Sequence, residues 1–175
     1  MTGEDTPTAP RSRIVTWSDP QASMRIIPTL SGLQFLRAIL AGELPEPPIF
    51  KLMGMYFNSV DEGHVSVSCQ PDEFHFNPIG VVHGGLAATL LDTAMGCAVY
   101  SLLPAGTSFT TLEIKVNYTR ALSPTMGPVR CEGTVLHMGG RTATAEARVL
   151  DSDGRLCAHG TTTCLILRPD VPETR

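Results

Sequence analysis

The sequence predicts an α+β fold, a curved antiparallel sheet of five to six strands wrapped around one long central helix. Three observations predict it. One apolar run, "GVVHGGLAATLLDTAMGCAVYSLL" from Gly80 to Leu103, is long enough for a single buried helix. The chain after it alternates with period two between short glycine-containing turns, as antiparallel strands do. The inward positions of those strands include several Ala and Gly, which leaves room for a helix against the sheet.

In chain order, residues 1–20 carry Thr, Pro and charge with little apolar content, and read as a flexible tail. Residues 21–46 hold an amphipathic helix, "SGLQFLRAILAGELPEPP". Its face is Leu33, Leu36 and Leu40, with Phe35 and Ile39 beside them, and Pro45 stops it. Residues 47–168 form the main domain, and 169–175 a C-terminal tail. Ile49 to Val60 reads as a first strand, turned by Asp61-Glu62-Gly63 into His64 to Gln70, where Val65, Val67 and Cys69 alternate with His64, Ser66 and Ser68. A loop through Pro78 leads to the long helix. Beyond it, Leu112, Ile114, Val116 and Tyr118 oppose Thr111, Glu113, Lys115 and Asn117. Val129, Cys131, Gly133 and Val135 oppose Arg130, Glu132 and Thr134, and Ala143, Ala145, Ala147 and Val149 oppose Thr144, Glu146 and Arg148. "DSDGR" then turns the chain into a last strand, Leu156 to Leu167.

Composition narrows the function. A chain of 175 residues with 42% hydrophobic and 17% charged residues suits one soluble globular domain. The formal net charge of -4 argues against a broad nucleic-acid surface, so an anionic ligand would need a local basic cluster. No unbroken run reaches the ~18 to 20 apolar residues of a membrane span. The first twenty residues lack a signal-peptide pattern. Five cysteines (Cys69, Cys97, Cys131, Cys157 and Cys164) with no CxxC spacing read as reduced thiols of a cytoplasmic protein.

Inside the apolar helix sits one carboxylate, Asp92. Burying it costs several kcal/mol unless it is paired or solvated. On helical spacing its face is Gly85, Ala88, Thr89, Met95, Gly96 and Val99, mostly small residues that would leave a cleft before it. Two readings stand: a carboxylate tied to a buried Arg or a backbone group, or a nucleophile or general base facing a ligand cavity. Gly84 and Gly85 follow His83 at the helix start. The unpaired N–H groups there, with no side chain to screen them, can hold a developing oxyanion. Otherwise the glycines serve only to let a strand approach.

The stretch "NPIGVVHGGLAATLLD" resembles the signature of the hotdog-fold acyl-CoA thioesterases, in the subgroup typified by the phenylacetate-pathway thioesterase. The resemblance runs from about Pro47 to Leu167, with "TTLEIKVNY", "HMGGRTATAEARVLDSDGRL" and "AHGTTTC" following in order. It implies hydrolysis of an acyl- or aryl-acyl-CoA thioester, with no cofactor beyond the coenzyme A of the substrate. It implies that Asp92 attacks the carbonyl or activates water, that Asn77 binds substrate or water, and that the Gly84 amide polarises the thioester oxygen. His83 would orient this loop and Thr111 would assist. The turn Gly139-Gly140-Arg141-Thr142 would hold coenzyme A, with Gly85 at the substrate and Arg120 and Lys115 as further cations.

Spacing adds a consequence. Gly84 and Asp92 are eight residues apart, so ~12 Å along one helix, too far for one thioester carbon to touch both. Two copies with adjacent central helices would supply each other, as a homodimer or dimer-of-dimers tetramer with sites at the subunit interface.

Other chemistries fit less well. His64, His75, His83, His137 and His159 show no zinc spacing, so no metal is expected. His75, close to the active loop, reads first as a solvated loop histidine and second as a support behind the site, and Cys97 reads as core. No Gly-Xaa-Ser-Xaa-Gly elbow is present. The Leu33 to Leu40 face reads as core packing, or second as a lid over the acyl tunnel. A hotdog enoyl-CoA hydratase or dehydratase and a non-catalytic acyl-CoA-binding protein are the alternatives; the first lacks its Asp/His pair, the second a DNA-binding segment.

Overall fold

The computed structural model describes residues 10–168; the remainder of the expected tails, 1–9 and 169–175, lies outside the described residues. Four helices are present among them: α1 (Pro20–Met24), α2 (Gly32–Leu40), α3 (Pro48–Met53) and α4 (Gly84–Ser101). Six strands, β1 (Met55–Asp61), β2 (His64–Cys69), β3 (Ser108–Tyr118), β4 (Val129–Met138), β5 (Thr142–Leu150) and β6 (Leu156–Leu167), form one antiparallel sheet in the order β1-β2-β4-β5-β6-β3. Helix α4 touches every strand. The sheet therefore wraps the helix, and the core lies between them.

Small residues make this approach possible. A Cβ added to Gly133 on β4 would stand 2.4 Å from the backbone of Ala94, so the helix backbone rests directly on the strand. Ala143, Ala145 and Ala147 on β5 are buried against the same helix side, where Leu90, Leu91, Ala94 and Met95 have no exposure. The expected packing of Ala and Gly beneath the helix is what the structure contains.

Four local expectations change. Ile49 to Val60 is not one strand: α3 occupies its first half. Pro48 opens that helix and Gly54, at φ +67°, ends it, and an apolar run as short as "IFKLM" suits either structure. Residues 21–46 hold α1, a 3-10 turn at Ile27–Thr29 and α2 in place of one helix. Pro28 withholds an N–H, and Ser31 with Gln34 caps α2 afresh. Helix α2 buries Phe35, Leu36 and Ile39, whereas Leu40 is exposed, and the helix stops at the Ala41 cap ahead of Pro45. The outer face of β2 is not solvated either. Ser66 and Ser68 are buried beneath the Asn58 amide, which donates to both hydroxyls.

The fourth change matters most for the site. A β-bulge between Thr111 and Glu113 breaks the simple alternation of β3. Phe109 lies against Gly96, Ile114 and Val116 pack on the core, and Leu112 is left 56% exposed. The bulge also turns Thr111 onto the helix side of the strand.

Candidate active site

Asp92 is half-buried near the middle of α4, and its Oδ1 accepts a hydrogen bond of 2.9 Å from the Thr111 hydroxyl. Among the described residues it has no salt-bridge partner, so the reading in which a buried Arg neutralises it falls away. The predicted face needs one correction. Gly85, Ala88, Thr89 and Thr93 remain partly open around Asp92, but Met95, Gly96 and Val99 are buried. The open side is thus rotated toward Thr93.

At the helix start, His83 is itself the cap: its Nδ1 accepts from the Gly85 N–H at 2.8 Å. Gly85 must be glycine for this, since a Cβ there would lie 2.7 Å from the His83 ring. The Gly84 N–H has no partner among the described hydrogen bonds. The ring of Tyr118 covers Gly84, 3.2 Å from where a Cβ would stand. The two glycines therefore differ: one admits the capping imidazole, the other a tyrosine ring and an open donor.

Asn77 organises the loop before the helix. Its Oδ1 accepts from Ile79 N and Val81 N, at 3.1 and 3.3 Å, which leaves only its amide N–H groups for a ligand. His75 is buried, not solvated. Its Nδ1 accepts from Asp72 N at 3.0 Å, and its Nε2 donates to Met53 O at 3.1 Å. Burial, first, pushes its pKa below the ordinary value; Met53 O opposes the shift and the Arg13 charge adds to it. Sequence reasoning placed this supporting role second, because a buried histidine with two backbone partners has no spacing signature.

The residues fall into three places on one chain. Asp92 and Thr111 meet at the middle. Asn77, His83, Gly84 and Gly85 gather at the start of α4, where a cavity of about 350 Å³ also takes in Tyr118 and Arg120. Gly140, Arg141 and Thr142 form the β4–β5 turn at the opposite end: Thr142 pairs with Leu165 beside the first residues of β3, and Gly139 shares a cavity with Leu102 and Leu103 past the end of α4. All five cysteines are free thiols. Burial and the Asp92 charge push Cys97 up to about 12, which leaves it unreactive at neutral pH. No described helix is long and apolar enough to cross a membrane.

The family model of the thioesterase superfamily matches residues 79–158, from the loop before α4 into β6. A solved structure from that superfamily is 33% identical over 77% of this chain and 97% of its own, with a TM-score of 0.62. A solved Ralstonia eutropha protein, described as a thioesterase related to phenylacetic acid degradation, is 26% identical over 74% of this chain and 97% of its own, with a TM-score of 0.67. An esterase-assigned protein of Halobacterium salinarum is 40% identical over 73 residues, a match spanning 46% of that relative's length. The 1,4-dihydroxy-2-naphthoyl-CoA hydrolase of Escherichia coli is 28% identical over 63% of this chain and 80% of its own. The chain belongs to the thioesterase superfamily, as a hotdog-fold protein of the PaaI-like group.

Proposed function

We propose that this chain hydrolyses an acyl- or aryl-acyl-CoA, and that each of its sites is shared by two copies. The observation that carries the reading is Asp92: a half-buried carboxylate with no cation paired to it among the described residues, oriented by Thr111 on an otherwise small-residue helix face. A carboxylate so placed is free to act on a reacting atom. In the base route, Asp92 takes a proton from water as the oxygen adds to the thioester carbon. The Gly84 N–H receives the oxyanion, the C–S bond breaks, and the thiolate recovers the proton as the free acid forms. In the nucleophile route the carboxylate itself adds, thiolate leaves, and water cleaves the resulting anhydride.

The shared site rests on distance. Gly84 is ~12 Å from Asp92 on the same helix, and the β4–β5 turn lies beyond the other end. Strand β3 is the sheet edge, eleven residues long, with Leu112 and Tyr118 exposed, so a second copy can pair along it and bring its helix start to Asp92. Arg141 and Arg120 would then meet the phosphates of coenzyme A, a class of substrate that the Escherichia coli relative's name includes.

The test is thiol release over a panel of acyl- and aryl-acyl-CoA esters. Asp92→Asn keeps the shape, so turnover should fall by ~10²-fold or more while binding survives. Near wild-type turnover in that variant would end the assignment. One turnover in ¹⁸O-labelled water tests the nucleophile route: label in Asp92 means that water opened an anhydride at the Asp92 carbon, whereas label in the product alone means that water added to the acyl carbon.

A further inference from the structure

Arg13 precedes every helix and strand, outside the part of the chain that the thioesterase family model matches. Its contacts are specific nonetheless. Its Nη1 and Nη2 donate to Leu52 O at 2.9 Å and Lys51 O at 2.8 Å, in the last turn of α3, where free carbonyls and the helix dipole favour a cation. The same guanidinium lies over the Phe74 ring, 4.0 Å from its centroid. One planar group therefore fastens the end of α3 to the turn at Glu73–His75.

From that turn the contacts continue to the proposed oxyanion donor. The Phe74 ring packs on His75 with centroids 4.2 Å apart, and His75 Nε2 donates to Met53 O next to the carbonyls that Arg13 holds. His75 O accepts from His83 N at 2.8 Å, and Phe76 and Val82 form an antiparallel bridge beside it. His83 Nδ1 then accepts from Gly85 N at 2.8 Å. Every step lies at hydrogen-bond or stacking distance. The turn also forms one wall of an open cavity of about 340 Å³, which Phe74, Phe76, Leu86 and Thr89 line next to Gly85.

We infer that Arg13 is a positioning residue for the reaction: it fixes the Glu73–His75 turn, and through His75 and His83 it fixes the start of α4. This rests on the reading that the Gly84 amide meets the thioester oxygen. Arg13 touches no reacting atom. Its effect belongs on turnover, because a helix start that wanders by a fraction of an ångström still admits substrate but loses the oxyanion more often.

The experiment uses the full chain, with hydrogen–deuterium exchange across residues 73–86 measured beside kcat and KM. In Arg13→Ala, exchange in that segment should speed up several-fold and kcat fall about tenfold, with KM moved less than about twofold. Arg13→Lys should resemble the alanine variant, since an ammonium cannot hold two carbonyls and stack on Phe74 together. Arg11→Ala breaks only an exposed ion pair to Glu73, and should behave as wild type. Wild-type exchange in Arg13→Ala overturns the inference, as does faster exchange with unchanged kcat, or an Arg11→Ala variant equally impaired. A wild-type protein inactive on every thioester overturns the proposed function instead, and exchange alone then decides whether Arg13 holds the helix start.

Discussion

The two sides of α4 are built from different residues and do opposite things. The sheet side, Leu90, Leu91, Ala94 and Met95, is sealed against Gly133 and the alanines of β5. The other side, Gly85, Ala88, Thr89, Asp92 and Thr93, is made of small and polar residues and stays partly open. Beneath the first side, small residues on the strands let backbone approach backbone; on the second, small residues of the helix leave room before a carboxylate. The difference comes from the partner. Close packing leaves no tolerance where a strand lies beneath the helix, whereas the open side stays only half-covered.

The sheet side should break first and hardest. Gly133→Val would drive a branched side chain into the backbone of Ala94, and should cost about 3 kcal/mol or more, a large share of the ~5 to 15 kcal/mol that holds a typical domain folded. Denaturant titration measures this, and a midpoint near wild type would mean that the helix can lift off β4.

A second experiment asks whether another copy completes the open side. Asn77→Ala and Asp92→Ala each damage both sites of a homodimer, but a mixed dimer regains one intact site. With random exchange the pool should recover about a quarter of wild-type turnover. If mass spectrometry finds mixed dimers without recovery, the two residues serve one chain's site, and the shared-site model fails.

The smallest effect sharpens the open side itself. Thr111→Val removes the hydroxyl that orients Asp92 and keeps the strand, so kcat should drop about tenfold with little change in melting temperature. Thr111→Ser should restore most of the rate. Equal loss in both variants would assign the effect to packing at this position.

The sequence was most legible where a period or a packing rule governs it. The helix from Gly84, the strands β4 to β6, and the Ala and Gly beneath the helix all follow from alternation and side-chain size. Legibility failed where one residue changes a local rule. Gly54 ends a helix inside an apparent strand, Pro28 divides another, and a single bulge residue re-aims β3. In the site, Asp92 stood out because a lone carboxylate in an apolar helix is costly. Thr111 came only with the family resemblance, since strict alternation puts it on the face opposite Ile114. Arg13 was not legible at all, and His75 only as a neighbour of the active loop, because their partners are backbone carbonyls brought near only by the fold.

Leu112 also makes β3 a strand with two reading frames. Phe109 and Thr111 belong to one, Ile114 and Val116 to the other, and only the extra residue lets both sets face the helix despite their odd separation. Deleting Leu112 would merge the frames and leave every inward residue facing inward, because Thr111 and Glu113 already pair with the successive residues Cys164 and Thr163. Leu112 thus sits next to the residue that orients Asp92, yet it is the position in β3 where the chain can best lose a residue. Loss of a residue from either flank would set one half of the strand against the other, turning Thr111 from Asp92 or Ile114 from the core.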